Sequence, residues 1–169
     1  CPDMGQGNVT AYTQIAAEAL HCRPDQVHLD SADTGLTPDT GSSTASRSVY
    51  VAGNAIIRAA EKMRALLIWY AARMLKEHET NLECCDKAVR VRDNSPRRAT
   101  YAKLAEYVHE NGKSARVEAG FDVPRFERPI EGSMEIPHWV FMYATAIALV
   151  EVDTLTGKTK VLQYLMVPD

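Results

Sequence analysis

The sequence predicts an α+β fold, with an antiparallel or mixed sheet and packed helices. Three observations carry that expectation. Apolar residues recur at helical spacing in two stretches, about residues 10–20 and 48–78. Apolar and polar residues alternate in shorter stretches. Two long apolar runs, Val140 to Val152 and Lys158 to Val167, are joined at Asp153-Thr154-Leu155-Thr156-Gly157, which reads as a hairpin turn closed by glycine.

Taken in order, Tyr12, Ile15, Ala16, Ala19 and Leu20 give the first helix, ended by Arg23-Pro24-Asp25. Val27 and Leu29 alternate with polar neighbours and predict a short strand. Asp33 to Ser48 has no apolar period and is rich in Gly, Pro, Ser, Thr and Asp, a long loop of the kind that carries function. The longer helix from about Ser48 to His78 shows the stripe Ile56, Ala59, Ala60, Met63, Leu67, Tyr70 and Met74, which reads as core. Gly53 inside it marks a close approach to another element. Val89 and Val91 predict a strand, and Asn94-Ser95-Pro96 a turn. Tyr101, Leu104, Ala105 and Val108 predict a short helix closed by Asn111-Gly112. Ala115, Val117, Ala119 and Phe121 predict another strand, and Pro124 to Pro137 an irregular surface crossing. This element order argues for α+β with at least one antiparallel sheet.

At 169 residues, one domain is expected, 1–169, with loop, helix, strand, loop and long helix over 1–80 and a β-rich half over 81–169. Such a chain buries roughly two-thirds of its unfolded surface, so neither metal nor disulfide staples are needed. Hydrophobic residues at 46% and charged residues at 24% exclude a collagen-like or wholly disordered chain. Lys+Arg 19 against Asp+Glu 22, net −3, disfavours a general nucleic-acid binder. No apolar run approaches the ~20 residues of a membrane span. Four cysteines, Cys1, Cys22, Cys84 and Cys85, do not make a disulfide framework, and a reducing cytoplasm is the expected location. The basic stretch Arg90, Arg92, Arg97, Arg98 and Lys103 reads as a solvated face.

Two loops lead into helices: Met4-Gly5-Gln6-Gly7-Asn8, and Thr40-Gly41-Ser42-Ser43-Thr44-Ala45-Ser46-Arg47-Ser48. A helix start carries unpaired N–H groups and about half a positive charge. Glycine admits a ligand close to the backbone, serine hydroxyls add donors and Arg47 adds charge, so a phosphorylated cofactor lying across both loops is one reading. The Gln6 amide suits the edge of a flat heterocycle. The plainer reading is a pair of ordinary N-caps.

The residues also carry a family likeness. Asp3-Met4-Gly5-Gln6-Gly7, Thr10, Gln14 to Glu18, Asp33-Thr34, Pro38, Ser46-Arg47-Ser48 and Gly53 resemble the molybdenum-cofactor-binding subunit of the xanthine dehydrogenase/aldehyde oxidase family of molybdenum hydroxylases. Phe141 to Thr145, Val150-Glu151-Val152-Asp153, Thr156-Gly157-Lys158 and Val161-Leu162 are similar to that family's terminal hairpin. Residues from about 80 to 135 match only in general character. The resemblance implies a cofactor of molybdopterin with molybdenum, as such or as a dinucleotide. It places Gly5 and Gln6 against the pterin and Ser43, Ser46 and Ser48 at the phosphate end. Thr44 and Ala45 fall where family members line the substrate pocket, although Thr44 departs from the usual small apolar pair. In the family the pterin's dithiolene ligates molybdenum, so no side chain is expected to bind metal.

The family reaction is hydroxylation of an electron-poor carbon beside nitrogen or in an aldehyde, with oxygen from water. Electrons leave through iron–sulfur clusters and usually FAD, expected on other domains or subunits. Neither Glu18, Glu61, Glu118 nor Glu135 stands in the family's catalytic glutamate motif, so no catalytic residue is expected in this chain. The chain is therefore expected to be part of a longer or split subunit that alone binds cofactor weakly and catalyses nothing. Its expected partners are the remainder of the molybdenum subunit, iron–sulfur and FAD subunits and a small-molecule substrate, with neither nucleic acid nor membrane. The parent is expected to be xanthine dehydrogenase-like, acting on purines or similar N-heterocycles, with an aldehyde oxidoreductase as the nearest alternative. A carbon-monoxide dehydrogenase, whose cysteine loop would lie outside this stretch, stays open.

Readings of other classes are a nucleophilic Cys1 with its own amine as base, a non-catalytic docking module, and a zinc site. Zinc would use His21, Cys22 and His28, or His78, Cys84 and Cys85, though no ligand pair has zinc spacing. A docking module would hold the two loops far apart, whereas cofactor binding needs them side by side.

Overall fold

The computed structural model describes residues 1–43, 47–93, 95–123 and 143–168. The chain forms two compact units, Cys1–Val123 and Pro124–Asp169. Helices and small antiparallel sheets together make the α+β architecture.

The first unit is organised by one long helix. Helix α1 (Asn8–Leu20) packs on the N-terminal part of α2 (Arg47–Leu75). The C-terminal part of α2 carries a three-stranded sheet, β1 (Leu82–Cys85), β2 (Ala88–Val91) and β3 (Arg98–Thr100), followed by α3 (Tyr101–Glu110). The strands are antiparallel in the order β1-β2-β3. The pairs Leu82–Val91 and Cys84–Val89 place apolar side chains on one face, toward α2 and α3. There Leu67, Tyr70, Ala71, Leu82, Val89, Ala99, Leu104 and Val108 form the core.

Helices α1 and α2 run in the same direction. Ile15 meets Gly53, where an added Cβ would stand 3.1 Å from Ile15 Cδ1. Further along both, Arg64 Nη1 donates to the Ala19 carbonyl at 3.3 Å. Their starts therefore lie at one end of the unit. The close approach expected at Gly53 is present, and it sets the spacing of the pair.

Both helices end through left-handed residues without glycine. His21 and Lys76 have φ of 52° and 53°, and the following amides, Cys22 N and Glu77 N, reach back to Ala17 and Ala72 carbonyls. Helix α2 thus stops at Leu75, short of the expected His78. Helix α3 closes at Asn111-Gly112 as the sequence predicts, with Gly112 at φ 66°.

Two expected strands are not strands. Val27 to Asp30 follows a 3-10 turn (Pro24–Gln26) and finds no ladder among the described residues. Ala115 to Phe121 is also unpaired; instead Lys62 Nζ and Arg58 Nη1 donate to the Glu118 and Gly120 carbonyls at 2.9 and 3.2 Å. Alternation records one half-buried face, but a strand also requires a partner for its backbone. The expected crossing at Pro124–Pro137 lies outside the described residues.

The β1–β2 turn is Asp86-Lys87, with φ of 46° and 57°. Two consecutive left-handed residues are the hairpin geometry that favours Asn-Gly. Lys87→Gly should raise stability by about 1 kcal/mol, the cost of a non-glycine residue in this conformation. A denaturant midpoint that does not move would contradict this.

The second unit contains a hairpin of β4 (Ala144–Val152) and β5 (Thr159–Pro168), in register from Ala144–Pro168 to Val152–Thr159 with an irregularity at Leu149/Val150. Its turn is the expected one: Gly157 has φ 73°, its N–H donates to the Asp153 carbonyl, and Asp153 Oδ1 accepts from the Leu155 and Thr156 amides.

Candidate functional site

At the end of the unit where the two helices begin, Cys1, ahead of the first loop, touches Thr40 of the second. In the first, Gly5 and Gly7 have φ of 103° and 83°, a conformation that glycine adopts without strain, and a Cβ on either would face open space. Gly7 has no side chain to cap α1. Asp3 does that from upstream: Oδ1 accepts from the Gly5 and Gly7 amides at 2.9 and 3.3 Å, and Oδ2 accepts from Val9 N at 2.9 Å. The bonds from Val9, Gly5 and Gly7 hold the Asp3 carboxyl below the usual carboxylate range.

This corrects the expectation of two open anion sites. The amides at the start of α1 already hold a carboxylate, which disfavours a second anion there. Gln6 folds over the same turn, its Oε1 accepting from Met4 N at 2.6 Å and its Nε2 donating to the Pro2 carbonyl at 3.1 Å. Each end keeps capacity for one further bond. The turn suits an uncharged heterocycle edge.

The second loop is cationic at its centre. Arg47 Nη1 donates to the Thr40 and Ser42 carbonyls at 2.8 and 3.0 Å. Its guanidinium packs on Gly41, where a Cβ would stand 3.3 Å from Nη2. Ser43 and Ser48 are hydrogen-bonded through their hydroxyls, and Ser48 is only 6% exposed. Cys1 Sγ lies 3.0 Å from Thr40 Oγ1 and ties the first segment to the second loop. Cys1, Thr40, Gly41, Arg47 and Ser48 line one cleft of about 510 Å³, whose interior is made by residues of α2 and by Ala119 to Phe121.

Of the expected site residues, Gly5 and Gln6 share the first turn, and Ser43 and Ser48 are brought together in the second loop. Thr44, Ala45 and Ser46 lie outside the described residues. Sequence reasoning missed the capping role of Asp3, the Cys1–Thr40 contact, and the cleft wall at Ala119–Phe121. The Asp-x-Gly-x-Gly spacing was the available signal for the first.

The residues fit a phosphorylated heterocyclic cofactor in part: a hydroxyl and guanidinium donor set in one loop, and an amide with open space beside glycine in the other. Among the described residues, no three His, Cys, Asp or Glu side chains gather as they would around a metal ion. The two proposed zinc groups are accordingly not assembled there. The basic stretch pairs locally, Arg90 and Arg92 with Glu83 and Arg97 with Glu77. No helix among the described residues is long and apolar enough to cross a membrane.

Titration adds a stability expectation. Burial raises the Cys22, Cys84 and Tyr12 pKa values, with the Asp3 charge adding to the effect at Tyr12. Bonds from Arg97 and Ser95 lower Glu77 and Asp93, as backbone amides lower Asp3. Groups raised in the fold contribute stability below their unfolded pKa that is lost as pH rises. Groups lowered contribute stability above theirs that is lost as pH falls. The thermal midpoint should therefore hold between about pH 5 and 8 and decline below about 4 and above about 9. A midpoint rising through pH 10 would contradict this.

Compared with known proteins, the chain matches the molybdopterin cofactor-binding domain family over residues 1–169. It is 32% identical over 160 residues to a probable xanthine dehydrogenase subunit of Bacillus subtilis, covering 95% of this chain and 20% of that one. It is 28% identical over 165 residues to the carbon monoxide dehydrogenase large chain of Hydrogenophaga pseudoflava, covering 98% and 20%. The solved CO dehydrogenase from Oligotropha carboxidovorans superposes with a TM-score of 0.73 at 26% identity, over 99% of this chain and 20% of that chain. The chain thus spans about one-fifth of the length of these relatives.

Proposed function

This chain belongs to the molybdopterin cofactor-binding domain family, and we propose that it supplies part of the cofactor grip of a molybdenum hydroxylase. In this reading Ser43, Ser46 and Ser48, with Arg47, hold the phosphate end, while Gly5 and Gln6 meet the edge of the pterin. Thr44 and Ala45 border the substrate pocket. The observation that carries the reading is the juxtaposition of two helix starts, joined by Cys1 and Thr40, with Ser48 buried in the cleft beside them. It is also what separates this reading from a plain docking module.

When bound, the cofactor supplies a molybdenum centre able to pass water-derived oxygen to carbon. The chain's own residues orient and retain it: Arg47 neutralises phosphate charge, the serine hydroxyls donate hydrogen bonds, and Gln6 reads a heterocycle through its paired donor and acceptor. The catalytic base belongs to another part of the subunit. Iron–sulfur and FAD groups on partner domains or subunits would accept the electrons, in a cytoplasmic assembly.

For the substrate we favour purines or related N-heterocycles, supported by the likeness to a probable xanthine dehydrogenase subunit. The likeness to a carbon monoxide dehydrogenase large chain keeps carbon monoxide as the second reading, and an aldehyde remains the third. In the complete enzyme, Ser48→Ala and Arg47→Ala should each lower the molybdopterin released by acid at least threefold per protein. Unchanged pterin content in both would overturn the phosphate assignment. Reduction of the purified enzyme by hypoxanthine, and by neither carbon monoxide nor an aldehyde, would support the purine reading; the reverse pattern would replace it.

A further inference from the structure

We propose that the outer face of the β1-β2-β3 sheet docks an acidic segment of a separate polypeptide, and that Arg98 is the residue this face holds out to it. As a string the basic stretch reads as a solvated face, but the strand register gives it an order. Glu83 on β1 stands opposite Arg90 on β2, and Arg90 stands opposite Arg98 on β3. One row across the sheet therefore carries an acid and then two bases. Like charges directly opposite each other in an antiparallel pair are destabilising. The carboxylates nearby are already taken: Glu83 pairs with Arg90 and Arg92 at 2.7 and 3.4 Å, and Glu77 pairs with Arg97. Arg98 is exposed and forms no ion pair among the described residues. The fold thus keeps a cation where it costs stability and gains nothing inside the unit.

Three features choose the occupant. First, the face presents donors rather than acceptors: the Glu83 side chain is 29% exposed, those of Arg90 and Arg92 50% and 60%. Arg90 spends Nε and Nη2 on Glu83, which leaves the rest of its planar fork, with that of Arg98 beside it, for carboxylates. Second, the next row across the sheet is Cys85, Ala88 and Thr100, all small side chains. No apolar ridge stands on this face to pack as a domain core packs. Third, the charge is local. From Glu83 to Lys103 the chain carries six cations and three carboxylates, whereas the whole chain has 19 Lys and Arg against 22 Asp and Glu. A long polyanion such as nucleic acid meets the acidic remainder of the molecule, but a short acidic segment meets only this patch. Such a contact is polar and weakened by salt, in keeping with a separate chain rather than with a buried core.

The test uses the complete enzyme, purified with its accompanying polypeptides. Arg98→Glu places an acid opposite Arg90, so the thermal midpoint should hold or rise. The same variant should weaken the association of one accompanying polypeptide about tenfold at low salt, the scale of one lost charge-assisted contact, and the difference should shrink at high salt. Arg98→Lys keeps the charge and should hold association within about threefold. Treated with a carbodiimide, that variant should cross-link through position 98 to an aspartate or glutamate of the same accompanying polypeptide. This second route decides the matter if Arg98→Glu fails to fold. A midpoint that holds or rises with association unchanged is the behaviour of a solvated face and overturns the proposal. A cross-link from position 98 to a carboxylate of its own polypeptide overturns it as well. Hexaglutamate should compete with the association; competition by a DNA oligonucleotide and not by hexaglutamate would make the occupant a nucleic acid and overturn the acidic segment. None of the proposed cofactor contacts lies on this sheet, so the outcome is independent of the cofactor reading.

Discussion

Leu104→Ala should cost the first unit about 2–5 kcal/mol, the range for removing a fully buried leucine side chain. Leu104 is 0% exposed, and α3 buries only it and Val108 fully. Its neighbours in the core come from three elements, with Leu67 and Ala71 on α2, Leu82 on β1 and Val89 on β2. A void there cannot be closed by moving one side chain, because the sheet and α2 fix its opposite walls. A domain of this size has about 5–15 kcal/mol of stability in total, so the loss is a large share. The check is a urea titration: the midpoint should fall with little change in slope. A loss under 1 kcal/mol would mean that α3 is not part of the cooperative core. Helix α3 carries none of the proposed cofactor contacts, so the variant tests the scaffold alone.

Gly53→Val should act on the site through the scaffold. At this position an added Cβ already stands 3.1 Å from Ile15 Cδ1, and valine adds two methyl groups to it. Overpacking of this kind costs about 1–3 kcal/mol. Gly53→Ala should differ in sign or size, because alanine regains about 1 kcal/mol of helix propensity against a small displacement of Ile15. The two variants together separate propensity from packing. Valine also pushes α1 from α2, and with it the first turn from the second loop. Loss of protection at Cys1 and Thr40 in hydrogen exchange or thiol labelling should accompany the loss of stability. If Gly53→Val is as stable as Gly53→Ala, the helices do not rely on this contact.

The helices were legible because their apolar stripes repeat with the helical period over several turns. The β4–β5 hairpin was legible because two long apolar runs flanked a turn with aspartate at its start and glycine at its end. The β1–β2 hairpin was not, since its turn is Asp86-Lys87 and its strands are only four residues each. Alternation at Ala115–Phe121 correctly marked extended chain whose Val117, Ala119 and Phe121 share a half-buried face. Its backbone partners, however, are Arg58 and Lys62, 62 and 56 residues away from Gly120 and Glu118, and no local pattern reports them. In the site, the glycines of the first turn announced positive φ. What they did not announce was that Asp3 already takes the amides they expose. In the function proposed above, that single carboxylate assigns the anion to the second loop and the uncharged edge to the first.

The most direct measurement follows the backbone amide resonances of the chain as a pterin phosphate is added. Gly5, Gln6 and Gly7 should shift together with Gly41, Arg47 and Ser48, on one binding curve with one dissociation constant. Shifts confined to a single loop, or two curves with different constants, would contradict the account that these bends hold one ligand between them.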